Sequence, residues 1–259
     1  MSDADLIIDA ISAFEDNYIW LLHRGGPAAV VVDPGDATPV LETFQERDLE
    51  LSGVLLTHHH WDHAGGVPEL LERWPDAPVH GPRDRRLGDW CLPVSEGDTV
   101  SLPALGLAFD VLDVPAHTRS HVAFHGHGLL FSGDTLFSVG CGRLFEGSAE
   151  DMQRAMDKLA QLPEDTLIYC GHEYTVDNCR FARVVEPGNA VLARREAEAL
   201  RLREAGERTL PARLGEELQV NPFLRTREPG VVEAARRQTG ESAPGATTMA
   251  AIRAWKDRF

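Results

Sequence analysis

The stretch Thr57-His58-His59-His60-Trp61-Asp62-His63-Ala64-Gly65-Gly66 places four potential metal ligands, His58, His60, Asp62 and His63, within six positions. Imidazole nitrogens joined by one carboxylate form a borderline donor set that suits Zn²⁺ and also accepts Fe²⁺ or Mn²⁺. The run is internal, unlike a purification tag, and the Asp-His that follows extends it beyond a chance cluster of histidines. Alternation points His59 away from His58 and His60, so it stays outside the expected ligand set.

Three further segments end an apolar run in one ligand type each: Val111-Leu112-Asp113-Val114-Pro115-Ala116-His117, Leu129-Leu130-Phe131-Ser132-Gly133-Asp134 and Leu167-Ile168-Tyr169-Cys170-Gly171-His172. A lone histidine after a strand is usually a packed or solvated residue; the repetition of the pattern carries the weight. Asp33, in Val30-Val31-Val32-Asp33-Pro34-Gly35, either orients a ligand imidazole from behind or forms the turn before Pro-Gly, and the sequence leaves both open.

The elements that must position these residues are legible around them. Residues 51–56 read as a buried strand and 67–74 as a short helix, so the histidine run occupies a strand-to-helix loop. Residues 6–32 hold short apolar runs broken at Asp16-Asn17 and Gly25-Gly26-Pro27, as in a hairpin. Residues 37–47 read as a helix, and a second at 149–161 opens on the capping-box pattern Ser148-Ala149-Glu150-Asp151 and stops before Pro163. Strands dominate from 51 to 172. After that, 175–184, 189–205 and 229–238 show helical spacing without a strong strand run. Strands first and helices later predict an α+β chain, with a domain of residues 1–173 followed by a smaller helical domain of residues 174–259.

Composition narrows the function. A chain 43% hydrophobic and 25% charged is an ordinary globular protein. No apolar run reaches the length of a membrane span, and the acidic N-terminus lacks the basic region of a secretory signal. A net charge of −16 argues against nucleic acid as the partner. The charge is divided unevenly: −19 over residues 1–173 and +3 over 174–259. The second part thus offers either a local basic face to an anionic substrate or an ordinary solvated surface. Cys91, Cys141, Cys170 and Cys179 form no C-x-x-C and imply the reduced thiols of a cytoplasmic protein.

The ligand pattern resembles the metallo-β-lactamase superfamily, whose signature T-x-H-x-H-x-D-H is followed by separated His, Asp and His; the match runs from about residue 8 to residue 173. The resemblance implies an αββα sandwich with two metals at one edge. One metal would take His58, His60 and His117, the other Asp62, His63 and His172, with Asp134 bridging them and Asp62 and Asp134 as the catalytic carboxylates. The ions would be two divalent metals per chain, zinc first, with iron or manganese as alternatives. Ser138-Val139-Gly140-Cys141-Gly142-Arg143-Leu144-Phe145-Glu146-Gly147, Gly171-His172-Glu173-Tyr174-Thr175 and Arg253-Ala254-Trp255-Lys256-Asp257-Arg258-Phe259 resemble the glyoxalase II (hydroxyacylglutathione hydrolase) family more narrowly.

That likeness implies hydrolysis of S-D-lactoylglutathione to D-lactate and glutathione, with a metal-bridging hydroxide as nucleophile and Arg143, Tyr174, Arg253 and Lys256 binding the glutathione thioester. Some members carry Lys and Tyr where this chain has Arg143 and Phe145, so a hydroxyl at the latter position is absent here. Cys141 is a second candidate nucleophile, but the hydroxide already fills that role. The expected protein is a cytoplasmic monomer with no nucleic-acid or membrane partner. A one-iron persulfide dioxygenase, a nuclease of the same superfamily and a non-catalytic metal binder are the alternatives; metal content, oxygen consumption and thioester hydrolysis separate them.

Overall fold

The computed structural model describes residues 5–259. They form two compact units, each drawn from separated stretches of chain: residues 5–113 with 120–133, and residues 114–119 with 134–259.

The first unit runs β1 (Ile7–Ala13), β2 (Asn17–His23), β3 (Ala28–Val32), α1 (Ala37–Arg47), β4 (Glu50–Leu55), α2 (Trp61–Ala64), α3 (Val67–Arg73), β5 (Val79–Pro82), β6 (Cys91–Val94), β7 (Thr99–Leu102), β8 (Leu107–Asp113), β9 (Val122–Gly126) and β10 (Leu129–Gly133). Strands β1 to β6 make one sheet in chain order, antiparallel up to β3 and parallel from β3 onward. The parallel pairing of β3 with β4 needs a crossover, and α1 supplies it. Asp36 caps α1 by accepting from the Thr38 amide at 2.9 Å, and Asp48 ends the helix in the left-handed region. Its apolar stripe, Ala37, Val40 and Phe44, packs with Ile19, Leu21, Val31 and Val54 of the sheet, Leu56 just beyond β4, and Val67 and Leu70 of α3.

Alternate residues of the same strands, Trp20, Leu22, Val30, Val32 and Leu55, are buried as well, so the sheet is covered on both faces. Strands β7 to β10 form an antiparallel meander. A Cβ on Gly53 of β4 would stand 3.4 Å from the Leu102 side chain of β7, so strands of the two sheets approach closely there.

The second unit contains β11 (Leu136–Phe137), β12 (Gly140–Cys141), α4 (Ala149–Leu159), β13 (Leu167–Cys170), α5 (Thr175–Val185), α6 (Ala190–Glu204), β14 (Ala212–Arg213), α7 (Leu214–Val220), α8 (Pro229–Thr239) and α9 (Ala246–Lys256). The capping box at Ser148 is present: its side chain accepts from the Asp151 amide and Asp151 returns the bond. Helix α4 stops at Leu159, two residues before the expected end, with Ala160 as its C-cap. Helices α5, α6 and α8 lie where the helical spacing put them. Elements α7, β11, β12 and β14 escape the sequence reading. A two-residue strand has no periodicity to read, and the heptapeptide of α7 holds too few turns for one.

Phe44 is 1% exposed and its ring meets the Trp74 edge at 5.4 Å. Phe44→Ala should therefore destabilise the protein by about 3–5 kcal/mol in urea unfolding.

Candidate metal centre

The first unit holds four of the expected ligands on the loop after β4, and the bonds around them define what each ring presents. Asp33 follows β3 in the left-handed region, φ +52°, a conformation an Asp tolerates. One of its carboxylate oxygens accepts from the Thr57 amide at 2.7 Å; the other accepts from the Thr57 hydroxyl at 2.7 Å and lies 3.1 Å from His63 Nδ1. His63 Nδ1–H therefore donates to Asp33, and Nε2 keeps its lone pair, 3.4 Å from Asp62 Oδ2. Having given its proton to Asp33, the Thr57 hydroxyl can only accept from His58 Nδ1, 3.1 Å away. His58 Nε2 lies 3.1 Å from His60 Nδ1, so both rings direct a nitrogen to one point. Of the two roles left open for Asp33, orienting an imidazole is the one the geometry supports, and the residue also makes the turn.

Two further residues of this unit build the loop. Asn17, buried at the start of β2, donates to the Asp62 carbonyl at 3.2 Å and to its Oδ2 at 3.1 Å. Gly35 lies so close to the Asp62 backbone that a Cβ would overlap its carbonyl. His59 turns elsewhere: its Nδ1 lies 3.4 Å from Asp84 Oδ2. His121 stacks on His58, ring centres 4.7 Å apart, as a neighbour of the ligand loop.

The second unit brings together the other three. Asp134 Oδ2 is 3.4 Å from His117 Nε2 and 3.3 Å from His172 Nε2. His117 Nδ1–H donates to the Arg143 carbonyl at 3.0 Å, which turns Nε2 toward the carboxylate. The Tyr174 ring stacks on His172 at 4.7 Å with the planes 3° apart. Gly142 passes so close to Asp134 that a Cβ would overlap its carbonyl oxygen. His58, His63, His117, His172 and Asp134 are all buried. In the first unit His63 has one nitrogen held by Asp33 and the other near Asp62, and in the second His117 has one held by the Arg143 carbonyl and the other near Asp134; buried imidazoles so oriented toward carboxylates are donor chemistry suited to a divalent metal, so the residues fit the ion their types imply.

The residues expected to bind substrate also lie in the second unit. Arg143 is exposed, its Nε 3.9 Å from Asp257 Oδ1. Arg253 lies inside α9, buried, where its Nη1 donates to the Cys141 carbonyl at 2.8 Å, its Nη2 to Asp257 at 3.0 Å, and its charge sits 5.2 Å from the Phe223 ring centre. Lys256 donates to Asn178 and stands over the Phe181 ring. Burial, with Arg253 repulsion second, pulls the Lys256 ammonium down to about 8. Phe145 is exposed and presents its edge to His117 at 5.1 Å. The Cys141 thiol is buried and pushed up by that burial, the opposite of an activated nucleophile. Sequence reasoning missed Asn17, Asn178 and Asp257 as builders of these sites. Asn17 looked like a hairpin-turn residue, and nothing in spacing ties Asn178 to residues 78 positions away.

Residues 14–172 match the Metallo-beta-lactamase superfamily, and residues 173–259 match the Hydroxyacylglutathione hydrolase C-terminus. The chain is 51% identical over 251 residues to the hydroxyacylglutathione hydrolase of Xanthomonas euvesicatoria pv. vesicatoria (strain 85-10), covering 96% of this chain and 98% of the relative. It is 49% identical over 265 residues to the hydroxyacylglutathione hydrolase of Cupriavidus metallidurans (strain ATCC 43123 / DSM 2839 / NBRC 102507 / CH34), covering 98% and 99%. Among solved structures, ETHE1 from Myxococcus xanthus superposes with a TM-score of 0.65 at 24% identity, covering 96% of this chain and 98% of that one. The fold is thus the αββα sandwich of that superfamily, with a helical C-terminal region.

The bond from Asp33 to His63 generates a test. Asp33→Ala should weaken zinc binding by about 10- to 100-fold in chelator competition, as expected when the partner of a ligating histidine is removed. His59→Ala should bind zinc as the unaltered protein does, whereas His60→Ala should not; equal loss from both would show that the loop presents a different nitrogen.

Proposed function

The chain belongs to the hydroxyacylglutathione hydrolases of the metallo-beta-lactamase superfamily, and from that premise we propose that it hydrolyses S-D-lactoylglutathione to D-lactate and glutathione, the second step of methylglyoxal detoxification. A metal-dependent hydrolase is what the family and the clustered His and Asp donors establish. The finer reading is that His58, His60 and His117 would hold one ion and Asp62, His63 and His172 the other, and that Asp134 would be shared between them. The observation that carries it is the single carboxylate oxygen of Asp134, shared between two histidine nitrogens at 3.4 and 3.3 Å. We assign zinc as the first choice of ion, with iron or manganese also suited to this nitrogen-rich set.

When bound, the ions supply a hydroxide at neutral pH and Lewis acidity for the acyl carbonyl. The chain's own residues do the rest. Asn17 holds Asp62 and Asp33 holds His63, which fixes both side chains without reorganisation. A thiol leaving group has a pKa near 8.5, so glutathione departs as thiolate without a strong general acid, whereas an amide would need one. Lys256 and the exposed Arg143 are the cations offered to the two glutathione carboxylates, and Tyr174 lines the site through its stack on His172. Arg253 already donates to Cys141 and Asp257, so its contribution is to hold the Cys141 segment as well as to add positive charge.

We also propose a cytoplasmic monomer. The four cysteines are free thiols, which supports a reducing compartment, and among the described residues no helix is long and apolar enough to cross a membrane.

The purified protein should hydrolyse S-D-lactoylglutathione and hold close to two ions per chain; one tight ion with no second site filling would count against the bridge, and no hydrolysis against the substrate. Asp134→Asn should lower both ion content and turnover. A separate prediction concerns pH. Lys256 is charged below about 8 and neutral above it, so kcat/KM for this substrate should fall as pH rises through that value. Lys256→Met should raise KM by about 10- to 100-fold with little change in kcat, the mark of a lost charge-assisted contact remote from the reacting carbon, and should remove that inflection.

A further inference from the structure

The segment from Asp134 to Arg143 links two contacts of the proposed centre: Asp134 at one end, and at the other the Arg143 carbonyl that holds His117 Nδ1. Between them β11 and β12 form a hairpin, Phe137 opposite Gly140, with Ser138-Val139 as its two-residue turn. Such turns favour Gly, Asn or Asp because they require positive φ. Here the turn carries Val139, β-branched, fully buried and at φ +57°. For such a residue that conformation is an outlier, held only when the surroundings over-determine it.

The surroundings are a cage of buried polar side chains from the following helices. The two oxygens of Glu217, on α7, accept from the Ser138 hydroxyl at 2.9 Å and from the Val139 amide at 2.7 Å. Asn221 donates to the carbonyls of Phe137 and Gly140, at 3.2 and 3.0 Å, and to Glu217 at 3.0 Å. Asn178 donates to the Ser138 carbonyl at 2.8 Å, Arg195 to the Ser138 hydroxyl at 3.2 Å, and Arg253 to the Cys141 carbonyl at 2.8 Å. Glu217 is 0% exposed, and its carboxyl is pushed up to about 7, chiefly by burial. A buried carboxylate is an expensive way to stabilise a core, where apolar residues of similar volume serve as well or better. What it supplies here is two acceptors for the two donors of the turn.

We propose that Glu217 is a positioning residue for the metal centre: by holding Ser138-Val139 in its strained turn, it sets where Asp134 and the Arg143 carbonyl stand, and through them the bridging carboxylate and the His117 ring. This rests on the ligand assignment made above. It gives the helical part of the chain a second task besides receiving glutathione.

The test uses the full chain, stripped of metal and titrated with zinc. A glutamine at 217 keeps the shape but sets an NH₂ group against one of the donors. Glu217→Gln should lower kcat and weaken zinc binding by about tenfold or more, while KM for S-D-lactoylglutathione stays within about threefold. Val139→Gly, placed on top of Glu217→Gln, should restore most of kcat and zinc affinity, because glycine holds positive φ without the clamp. If Glu217 only stabilises the fold, Glu217→Gln would lower the Tm of the metal-free protein with kcat and zinc affinity per folded molecule unchanged, and Val139→Gly would deepen the loss by removing a buried side chain; either result overturns the proposal. Should Glu217→Gln not yield folded protein, Ser138→Ala decides in its place, since it removes one of the same bonds: lowered zinc affinity and kcat support the inference, unaltered values sink it. An unaltered protein that neither binds two zinc ions nor hydrolyses the thioester overturns the functional reading itself, whereas indifference of Glu217→Gln in an otherwise competent enzyme overturns this inference alone.

Discussion

A buried imidazole has two nitrogens, and a ligand site needs only one of them. The other must be satisfied by the protein, or its burial is costly. Three rings here meet that condition with different partners: Thr57 for His58, Asp33 for His63 and the Arg143 carbonyl for His117. Each bond selects a tautomer, fixes the ring plane and leaves one lone pair facing inward. Most of the local structure follows from it. Asp33 must leave its strand in a left-handed turn so that one carboxylate can take the Thr57 amide, the Thr57 hydroxyl and His63 together. Thr57 must then pass the direction of its hydroxyl on to His58.

The strands make such bonds cheap. β3 and β4 are parallel neighbours, so their carboxyl ends emerge side by side, with Val32 paired to Leu55. Asp33 and Thr57 are each one or two residues beyond that pair, and their contact needs no long side chain. The sheet also gives the loop rigidity, since β3 and β4 are buried on both faces over most of their length. A ligand set mounted on such ends is organised before any ion arrives, which limits the rearrangement that binding requires.

How much of this could be read from the residues depended on the range of the signal. The candidate ligands on the loop after β4 lie within six positions, so their chemistry stood out directly, as did the capping box of α4. The repetition of one pattern, an apolar run ending in a ligand type, singled out the separated His117, Asp134 and His172, which the fold brings close together. Asp33 was ambiguous because a turn and a bond to His63 ask for the same residue, and it makes both. Glu217, Asn221 and Asn178 were invisible. Periodicity reports which face of a helix is apolar; it does not show which polar residue on the buried side has found a partner 40 or 84 positions away. The residues after 173 therefore read as either a basic face for an anionic substrate or an ordinary solvated surface, and neither reading shows that several of their polar side chains are fully enclosed.

That enclosure changes how the small positive excess of the C-terminal segment should be understood. Arg195 and Arg253 contribute to it, yet both are 4% exposed and donate to the chain's own oxygens. Charge that is already bonded to Ser138, Thr209, Cys141 and Asp257 offers little to an incoming carboxylate, so the positive face open to solvent is smaller than the composition suggests. Arg143 is exposed and Lys256 is only partly enclosed, and these two remain to meet an anion. Buried Arg253 instead raises the local potential and repels the Lys256 ammonium. An anion arriving beside Lys256 would relieve that repulsion, so the same burial that makes the empty site electrostatically unfavourable increases what the site gains from a carboxylate.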